Sequence, residues 1–513
     1  MNSLKPITSN LIPDFVSHVT QTLQNKGFEA YLVGGCVRDL LMGKTPKDWD
    51  LTTNARPEQV QEAFKDLKTI YENTYGTVTI VNIPPNEADR DVSHVTPEEV
   101  QITTYRSEGG YADNRHPEHV SYETDINKDL ERRDFTMNAI AWDPIKDIYI
   151  DPYDGIKDIK DKLVRCVLYA DKRFSEDALR IMRAIRFSTV LGFAIESETL
   201  SALTAKAETI KGISAERVRD EFLKIIASDQ PAFGISLLQR TGLLKHIIPE
   251  LEEGIGCEQK GAHIYDVFNH LLHALQHAAD KDFPLEIRLS ALFHDIGKPA
   301  TRRYDTQKDK YTFFGHEVVG ARMTKKILER LKVPRETLDL VVSMVRNHMF
   351  FSDTEQITLS AVRRVIAKVK PEHIWLLMQV RESDRVGMKK AEAPYRLRKY
   401  HAMIDEALRD PISVGALKID GEFMIKELGI KPGPRMGWML HALLEEVLDD
   451  PSKNTVEHLT ELTNTLNGLP DGALKALGER GKEKKDELEE EEVAKVHAKH
   501  AVRREAKRSG GVK

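Results

Sequence analysis

Apolar positions in residues 14–27 recur at helical spacing and predict a short amphipathic helix. Residues 31–35 (YLVGG) form a brief apolar run closing on two glycines, the pattern of a buried strand entering a tight turn, and VRDLLMG then predicts a helix that stops at Gly43. TVTIVNI (77–83) and EVQITTYR (99–106) alternate and are β-branched, so both predict strands. Pro, Asn, Asp and Gly crowd the segments between and after them, and SEGGYADNRHPEHVS (107–121) is the most loop-like. Beyond Phe174 strand signals almost vanish, and helical spacing runs nearly to residue 467, with Gly/Pro breaks near 229–231, 249–256, 410–415 and 429–437. The expected fold class is α+β: a head of mixed sheet and helices to about residue 165, then an all-α remainder. From Asp471 large apolar residues are scarce, and ELEEEE followed by HAKHAVRREAKR predicts a lone charged helix or a disordered tail.

Composition adds limits. A chain of 513 residues, 41 % hydrophobic and 30 % charged, suits three or four packed domains. The net charge of −6 does not mark a nucleic-acid binder, so any such surface must be a local basic stripe. Arg363, Arg364 and Lys368 are candidates, spaced for one helix face. Cys36, Cys166 and Cys257 show no CxxC spacing, which favours a reducing cytoplasm over a disulfide framework. The N-terminus has no signal-peptide pattern, and no run of about 18 apolar residues predicts a membrane span.

Chemistry concentrates first in LVGGCVRDLLMGKTPKDWDL (32–51). Gly34 and Gly35 stand between a strand and a helix, where a bare backbone and a helix N-terminus accept a phosphate. Asp48 and Asp50, at i and i+2 of an extended strand, point to one side. Such a pair is either a solvated surface or a site for Mg²⁺. In EDALRIMRAIR, Asp177, Arg180, Arg183 and Arg186 recur at three-residue steps, expected to share one drifting helix face.

Together with ERRDFTMNAIAWD (131–143), SEDALRIMRAIRF (175–187) and ISAERVRDEF (213–222), that string resembles the class II tRNA nucleotidyltransferases and bacterial poly(A) polymerases, within the superfamily that includes DNA polymerase beta. The resemblance implies a polymerase-beta-like head (1–165), a base-selecting neck (166–240), a helical domain (241–400), a helical body (401–470) and the charged tail (471–513). It implies template-independent addition of CCA to tRNA from CTP and ATP. Asp48 and Asp50 would be catalytic and hold Mg²⁺; Gly34, Gly35 and Arg38 would hold the triphosphate. Arg133, Asp134 and Asn138 would bind the nucleotide, with Arg133 and Asp134 on phosphate and ribose. Asp177 and Arg180 would read the base edge, and Arg183 and Arg186 beyond them would also bind the nucleotide. Relatives often carry a third carboxylate where Gln101 stands; either Glu99, two residues earlier, supplies it, or Asp48 and Asp50 suffice. Addition of A only, of CC only, or of poly(A) is the alternative. Members restricted to CC addition lack a flexible loop near the position of 107–121.

A second series, HIYDVFNHLLHALQHA (263–278), LSALFHDIGKPATR (289–302), GHEVVG (315–320) and RESDRVG (381–387), resembles the HD phosphohydrolase superfamily. The resemblance makes His270, His294, Asp295 and Asp384 ligands of a divalent metal (Mg²⁺, Mn²⁺, Ni²⁺ or Co²⁺). Lys298, His316 and His348 would line the pocket, and a 2′,3′-cyclic phosphate or 3′-phosphate on damaged RNA would be the substrate. His263, His273 and His277 read as ordinary satisfied histidines. A phosphohydrolase with a vestigial head is the reading from another class. Residues 419–444 resemble the C-terminal body of HD-containing members.

Overall fold

The computed structural model describes residues 11–72, 76–82, 99–109, 119–259, 264–349, 357–386, 394–409 and 413–502. The chain divides into two compact units, residues 1–348 with 378–389, and residues 349–377 with 390–513.

The first unit opens on the helix Asp14–Asn25, which buries Val16, Val19 and Leu23 against a sheet. The strands are β1 (Ala30–Val33), β2 (Asp50–Thr53), β3 (Lys68–Glu72), β4 (Thr77–Val81), β5 (Glu99–Thr104), β6 (Arg106–Gly109), β7 (His119–Tyr122), β8 (Ala141–Asp143) and β9 (Ile148–Ile150). Seven of them form one sheet in the order β3-β4-β5-β2-β1-β8-β9, with β2 parallel to β5 and the remaining pairs antiparallel. Leu32, central in β1, pairs with Leu51 on one side and Trp142 on the other, which explains its apolar run: both neighbours are strands.

The α+β expectation is met, and four local readings are corrected. β6 and β7, at the flanks of the expected loop 107–121, pair with each other from Arg106↔Tyr122 to Gly109↔His119; residues 110–118 lie outside the described residues. The expected all-α remainder also holds Ala194–Ile195, which pairs in parallel with Leu163–Val164 at the end of the head, and an antiparallel hairpin, Arg303–Asp305 with Lys310–Thr312. Two- and three-residue strands are too short to carry a period, and only their partners make them strands. The third correction concerns Asp177. The helices Ala170–Glu176 and Leu179–Leu191 are separate, and Asp177 lies between them in extended conformation (φ −140°, ψ 106°). Its carboxylate accepts the Leu179 N–H at 3.0 Å, a local bond that competes with helix continuation.

The fourth correction is the tail. Residues Asp471–Lys499 form a helix packed along Pro434–Asp449, not a lone or disordered segment. Leu474 is fully buried, in a core with Met424, Met439, Leu443, Leu444 and Leu459. Gly478 and Gly481 let the two backbones touch: a Cβ at Gly481 would stand 2.2 Å from the His441 carbonyl oxygen, and one at Gly478 2.6 Å from Trp438 Cα. Arg480 pairs with Glu445 at 2.8 Å, and Lys484 with Asp449. Glycine-for-apolar packing leaves no hydrophobic stripe to read. Gly481→Ala is therefore expected to destabilise this unit by about 1–2 kcal/mol, because the steric cost exceeds the helix-propensity gain of about 1 kcal/mol. Gly472→Ala, whose Cβ meets nothing within 4 Å, should raise the melting midpoint, so thermal unfolding of the two variants should shift in opposite directions.

Candidate active site

Gly34 ends β1 at φ +79°, a conformation that favours glycine, and the helix Gly35–Leu41 begins at once. The Arg133 guanidinium lies over this turn, with Nη1 3.0 Å from where a Gly34 Cβ would be. β2 begins at Asp50, so Asp48 precedes the strand and does not lie within it. Sidedness still alternates: Asp48 is exposed, Trp49 buried and Asp50 half-buried. Burial raises the Asp50 carboxyl; Arg133 opposes this and the nearby Asp48 charge adds to it. Two close carboxylates beside a phosphate-type turn form a donor set that fits a divalent cation. Gln101 is the register partner of Asp50 on parallel β5, and Glu99 lies two residues earlier on the same exposed face.

Behind the turn runs a buried polar chain. Arg38 donates to Asn138 Oδ1 at 2.8 Å, Asn138 Nδ2 donates to Asp134 Oδ1 at 3.1 Å, and Arg183 reaches Asp134 Oδ2 at 2.7 Å. This chain links the Gly35 helix to the helix Leu179–Leu191. Arg38, Arg183 and Arg186 surround the Phe187 ring at 5.1, 5.4 and 3.9 Å from its centroid, and Arg186 also pairs with Glu221. Arg180 bonds Glu176 at 2.7 Å and the Arg132 carbonyl at 2.9 Å, while Asp177 pairs with Arg217 at 2.8 Å. The Asp177 and Arg180 side chains each hold a separate protein partner, while the Arg180 N–H donates to the Asp177 carbonyl at 3.0 Å.

Sequence reasoning missed four of these groups: Asp129, Phe187, Arg217 and Glu221. Asp129 is fully buried and accepts from Arg132 at 2.7 Å and Arg133 at 3.1 Å, so it aims the guanidinium over Gly34. Its signal was present as an acid four residues before Arg133, a spacing that puts both on one helix face. The others stand inside the quoted motifs 175–187 and 213–222, but nothing in their spacing told which side chain each would meet.

Burial alone would raise the Asp134 carboxyl, but Arg183, the Asn138 hydrogen bond and Arg180 outweigh it and hold the group at about 2. A carboxyl depressed in the folded state contributes stability above its unfolded value of 3.8, and that contribution is lost as pH falls towards 2. Asp134→Asn is expected to cost about 2 kcal/mol at pH 7. Its deficit relative to the unsubstituted protein should shrink between pH 4 and 2, as read by urea unfolding at each pH.

The second cluster is built on helices. His270 comes from Val267–Asp280, Asp384 from Ile374–Asp384, and His294-Asp295 from the end of Leu285–Phe293. His270 Nε2 lies 3.1 Å from His294 Nε2, and His294 Nε2 lies 3.2 Å from Asp384 Oδ1 and 3.3 Å from Asp295 Oδ2. The four donor atoms all lie within 4.8 Å of one another. His316 and His348, expected only to line a pocket, meet the other Asp295 oxygen at 3.2 and 3.6 Å and form a second group of three. Lys298 Nζ sits 2.5 Å from Asp295 Oδ2 and donates to the buried Gln259 at 2.6 Å. His273 stacks on Tyr265 and His277 meets Glu382 at 3.3 Å, as ordinary histidines do; His263 lies outside the described residues.

The ring nitrogens argue for a cation. Nδ1 of His294, His316 and His348 each face a backbone carbonyl, of Ala291, Phe313 and Val345, at 2.9, 2.7 and 2.7 Å. Each Nδ1 is thereby taken up by a backbone acceptor, and each ring turns its Nε2 inward. Burial would lower the His294 ring, but Asp295 and Asp384 outweigh it and raise it to about 10. Burial would raise Asp295, but Lys298 and His294 hold it well below the carboxylate range. Inward Nε2 atoms and ionised carboxylates are a donor set for a divalent metal, which would take the place of the His294 Nε2 proton.

Three family models match the chain: the Poly A polymerase head domain over residues 30–165, the probable RNA and SrmB-binding site of polymerase A over 192–255, and the HD domain over 261–386. A CC-adding tRNA nucleotidyltransferase of Thermus thermophilus is 32 % identical, covering 81 % of this chain and 89 % of its own. A CCA-adding enzyme of Lactobacillus helveticus is 31 % identical, covering 88 % and 96 %. The crystal structure of the Bacillus stearothermophilus CCA-adding enzyme in complex with CTP aligns with a TM-score of 0.56 at 25 % identity, covering 91 % of this chain and 98 % of that one.

Proposed function

From the premise that the chain belongs to the tRNA nucleotidyltransferase family, we propose that it adds CCA to the 3′ end of tRNA, using CTP and ATP without a nucleic-acid template. The observation that carries this reading is the Gly34 turn under Arg133, beside Asp48 and Asp50. The RNA 3′-hydroxyl attacks the α-phosphorus, the O3′–Pα bond forms, the bond to the β-phosphate oxygen breaks, and pyrophosphate leaves with the hydroxyl proton passing to solvent. Gly35, Arg38 and Arg133 hold the triphosphate through an N–H donor and charge, and Gly34, whose own N–H is taken by the Ile140 carbonyl, lets the backbone turn close to it. Asp48 and Asp50 would hold Mg²⁺, which when bound supplies charge for the attacking and leaving oxygens. Asp134 is held by Asn138, the Phe135 N–H and Arg183, and would meet a ribose hydroxyl by giving up part of the Arg183 contact.

Asp177 and Arg180 read the base edge by exchanging Arg217 and Glu176 for the incoming nucleobase. Asp177→Ala should narrow the preference for CTP and ATP over UTP and GTP by about 1–3 kcal/mol, measured as relative kcat/KM. Preference unchanged with activity retained would remove Asp177 from this role. Offering tRNA that lacks its 3′ end each labelled nucleotide in turn, and sequencing the products, separates CCA addition from A-only, CC-only and poly(A) addition. Arg363, Arg364 and Lys368 are all exposed on the helix Leu359–Val369 and supply a local basic face for tRNA.

The second cluster is read as a phosphohydrolase of blocked RNA ends. Water attacks phosphorus, a P–O bond to the ribose breaks, and the leaving oxygen takes a proton. A metal (Mg²⁺, Mn²⁺, Ni²⁺ or Co²⁺) held by His270, His294, Asp295 and Asp384 would polarise the phosphate. Lys298 supplies a cation beside it. No helix among the described residues is long and apolar enough to cross a membrane, and all three cysteines are buried and free, which supports a reducing cytoplasm as the compartment.

A further inference from the structure

The hairpin Arg303–Asp305/Lys310–Thr312 stands between the two segments that bear the phosphohydrolase cluster: Asp295 and Lys298 precede it, and His316 follows. The protein is acidic overall, yet residues 302–314 (RRYDTQKDKYTFF) hold four cations against two carboxylates. Lys308 reaches Asp305 only at 3.9 Å, and Arg303 and Lys310, both exposed, have no ion-pair partner among the described residues. Arg302 stacks over the Tyr311 ring at 3.7 Å, and its buried Nε has no hydrogen-bond partner among the described residues. Tyr304 is exposed, and Phe314 is 88 % exposed. Phe314 is two residues from His316, and its neighbour Phe313 is anchored: the Phe313 carbonyl accepts from His316 Nδ1 at 2.7 Å, and its ring centroid lies 5.6 Å from Lys298 Nζ. A bare ring is costly in water, and nothing in the core requires this one.

We propose that this hairpin is a stacking platform for the 3′-terminal nucleotide of a single-stranded RNA end, with the base on Phe314 and the backbone phosphates on Arg302, Arg303 and Lys310. The inference rests on the phosphohydrolase reading and supplies what the metal cluster lacks, namely a grip on the nucleotide whose phosphate is to be removed. Exposed aromatics interleaved with cations are how proteins hold single strands without reading sequence, and every base offers a face to stack. Charge complementarity favours RNA over a protein partner for a strip this basic.

The test uses the full chain with Phe314→Ala and, separately, Arg303→Ala with Lys310→Ala. A short RNA ending in a 3′-phosphate, with 2-aminopurine as its terminal base, is compared with p-nitrophenyl phosphate, which has no nucleobase. For Phe314→Ala, kcat/KM on the RNA should fall roughly tenfold, as expected for one lost base–aromatic stack. Hydrolysis of p-nitrophenyl phosphate should stay unchanged, and the 2-aminopurine quench on binding should disappear. The double variant should weaken RNA binding and flatten its salt dependence. Equal loss on both substrates, or an RNA substrate indifferent to both variants, would overturn the proposal and leave the hairpin free for another partner, a protein included. If the unsubstituted protein hydrolyses neither substrate, the phosphohydrolase reading fails by itself. The quench then still decides the platform: lost in Phe314→Ala it stands, retained it falls.

Discussion

Asp50→Ala is expected to lower nucleotide addition by roughly three orders of magnitude or more while the protein stays folded, with a melting midpoint equal to or above that of the unsubstituted chain. The activity term follows from removing one of two carboxylates that would hold the cation at the attacking hydroxyl, a loss felt only in the transition state. The stability term has the opposite sign. Burial raises the Asp50 carboxyl, so its ionised form is disfavoured in the folded state, and that penalty is present at pH values above its ordinary range. No ion pair to its side chain is lost among the described residues. Addition measured with a tRNA lacking its 3′ end, alongside thermal unfolding at pH 7, checks both. Near-normal addition, or a large drop in midpoint, would mean that Asp50 is structural.

The second large effect belongs to the other cluster. His294→Ala with Asp295→Ala is expected to eliminate metal-dependent phosphoesterase activity, since Asp295 offers one oxygen to each of the two histidine groups and His294 is central to the first. Addition to an intact 3′-hydroxyl should fall less than about twofold, because Asp48, Asp50 and Arg133 all lie within the head, residues 30–165, and none comes from the segments that supply the second cluster. Both substituted residues are fully buried, so a folding control is needed. Asp384→Asn, which is less buried and keeps the side-chain shape, should lose hydrolysis alone. If hydrolysis survives in both variants, the activity resides elsewhere on the chain. If addition collapses with it, the two sites are not independent.

Much of this molecule could be read without coordinates. The strand-and-turn at 30–35, the strands β4 and β5, the long helical run after Phe174, and both motif sets are local patterns. Periodicity, glycine placement and paired acids or histidines are written at spacings of a few residues, and the site chemistry follows from residue type. Tertiary structure decided the rest. Asp177 left the helix because its carboxylate bonds a backbone N–H ahead of it, and its partner Arg217 is forty residues away. Whether Gln101 or an acid stands beside Asp50 depended on the register of β2 against β5, which no local signal sets. The tail helix reads as solvated because its docking relies on two glycines and one leucine, so the contact is between backbones. Short strands such as β8 and β9 exist only because a neighbour accepts their hydrogen bonds. His316 and His348 read as pocket lining until the fold brought them to the second oxygen of Asp295, since a shared carboxylate is a property of three-dimensional convergence and not of spacing along the chain.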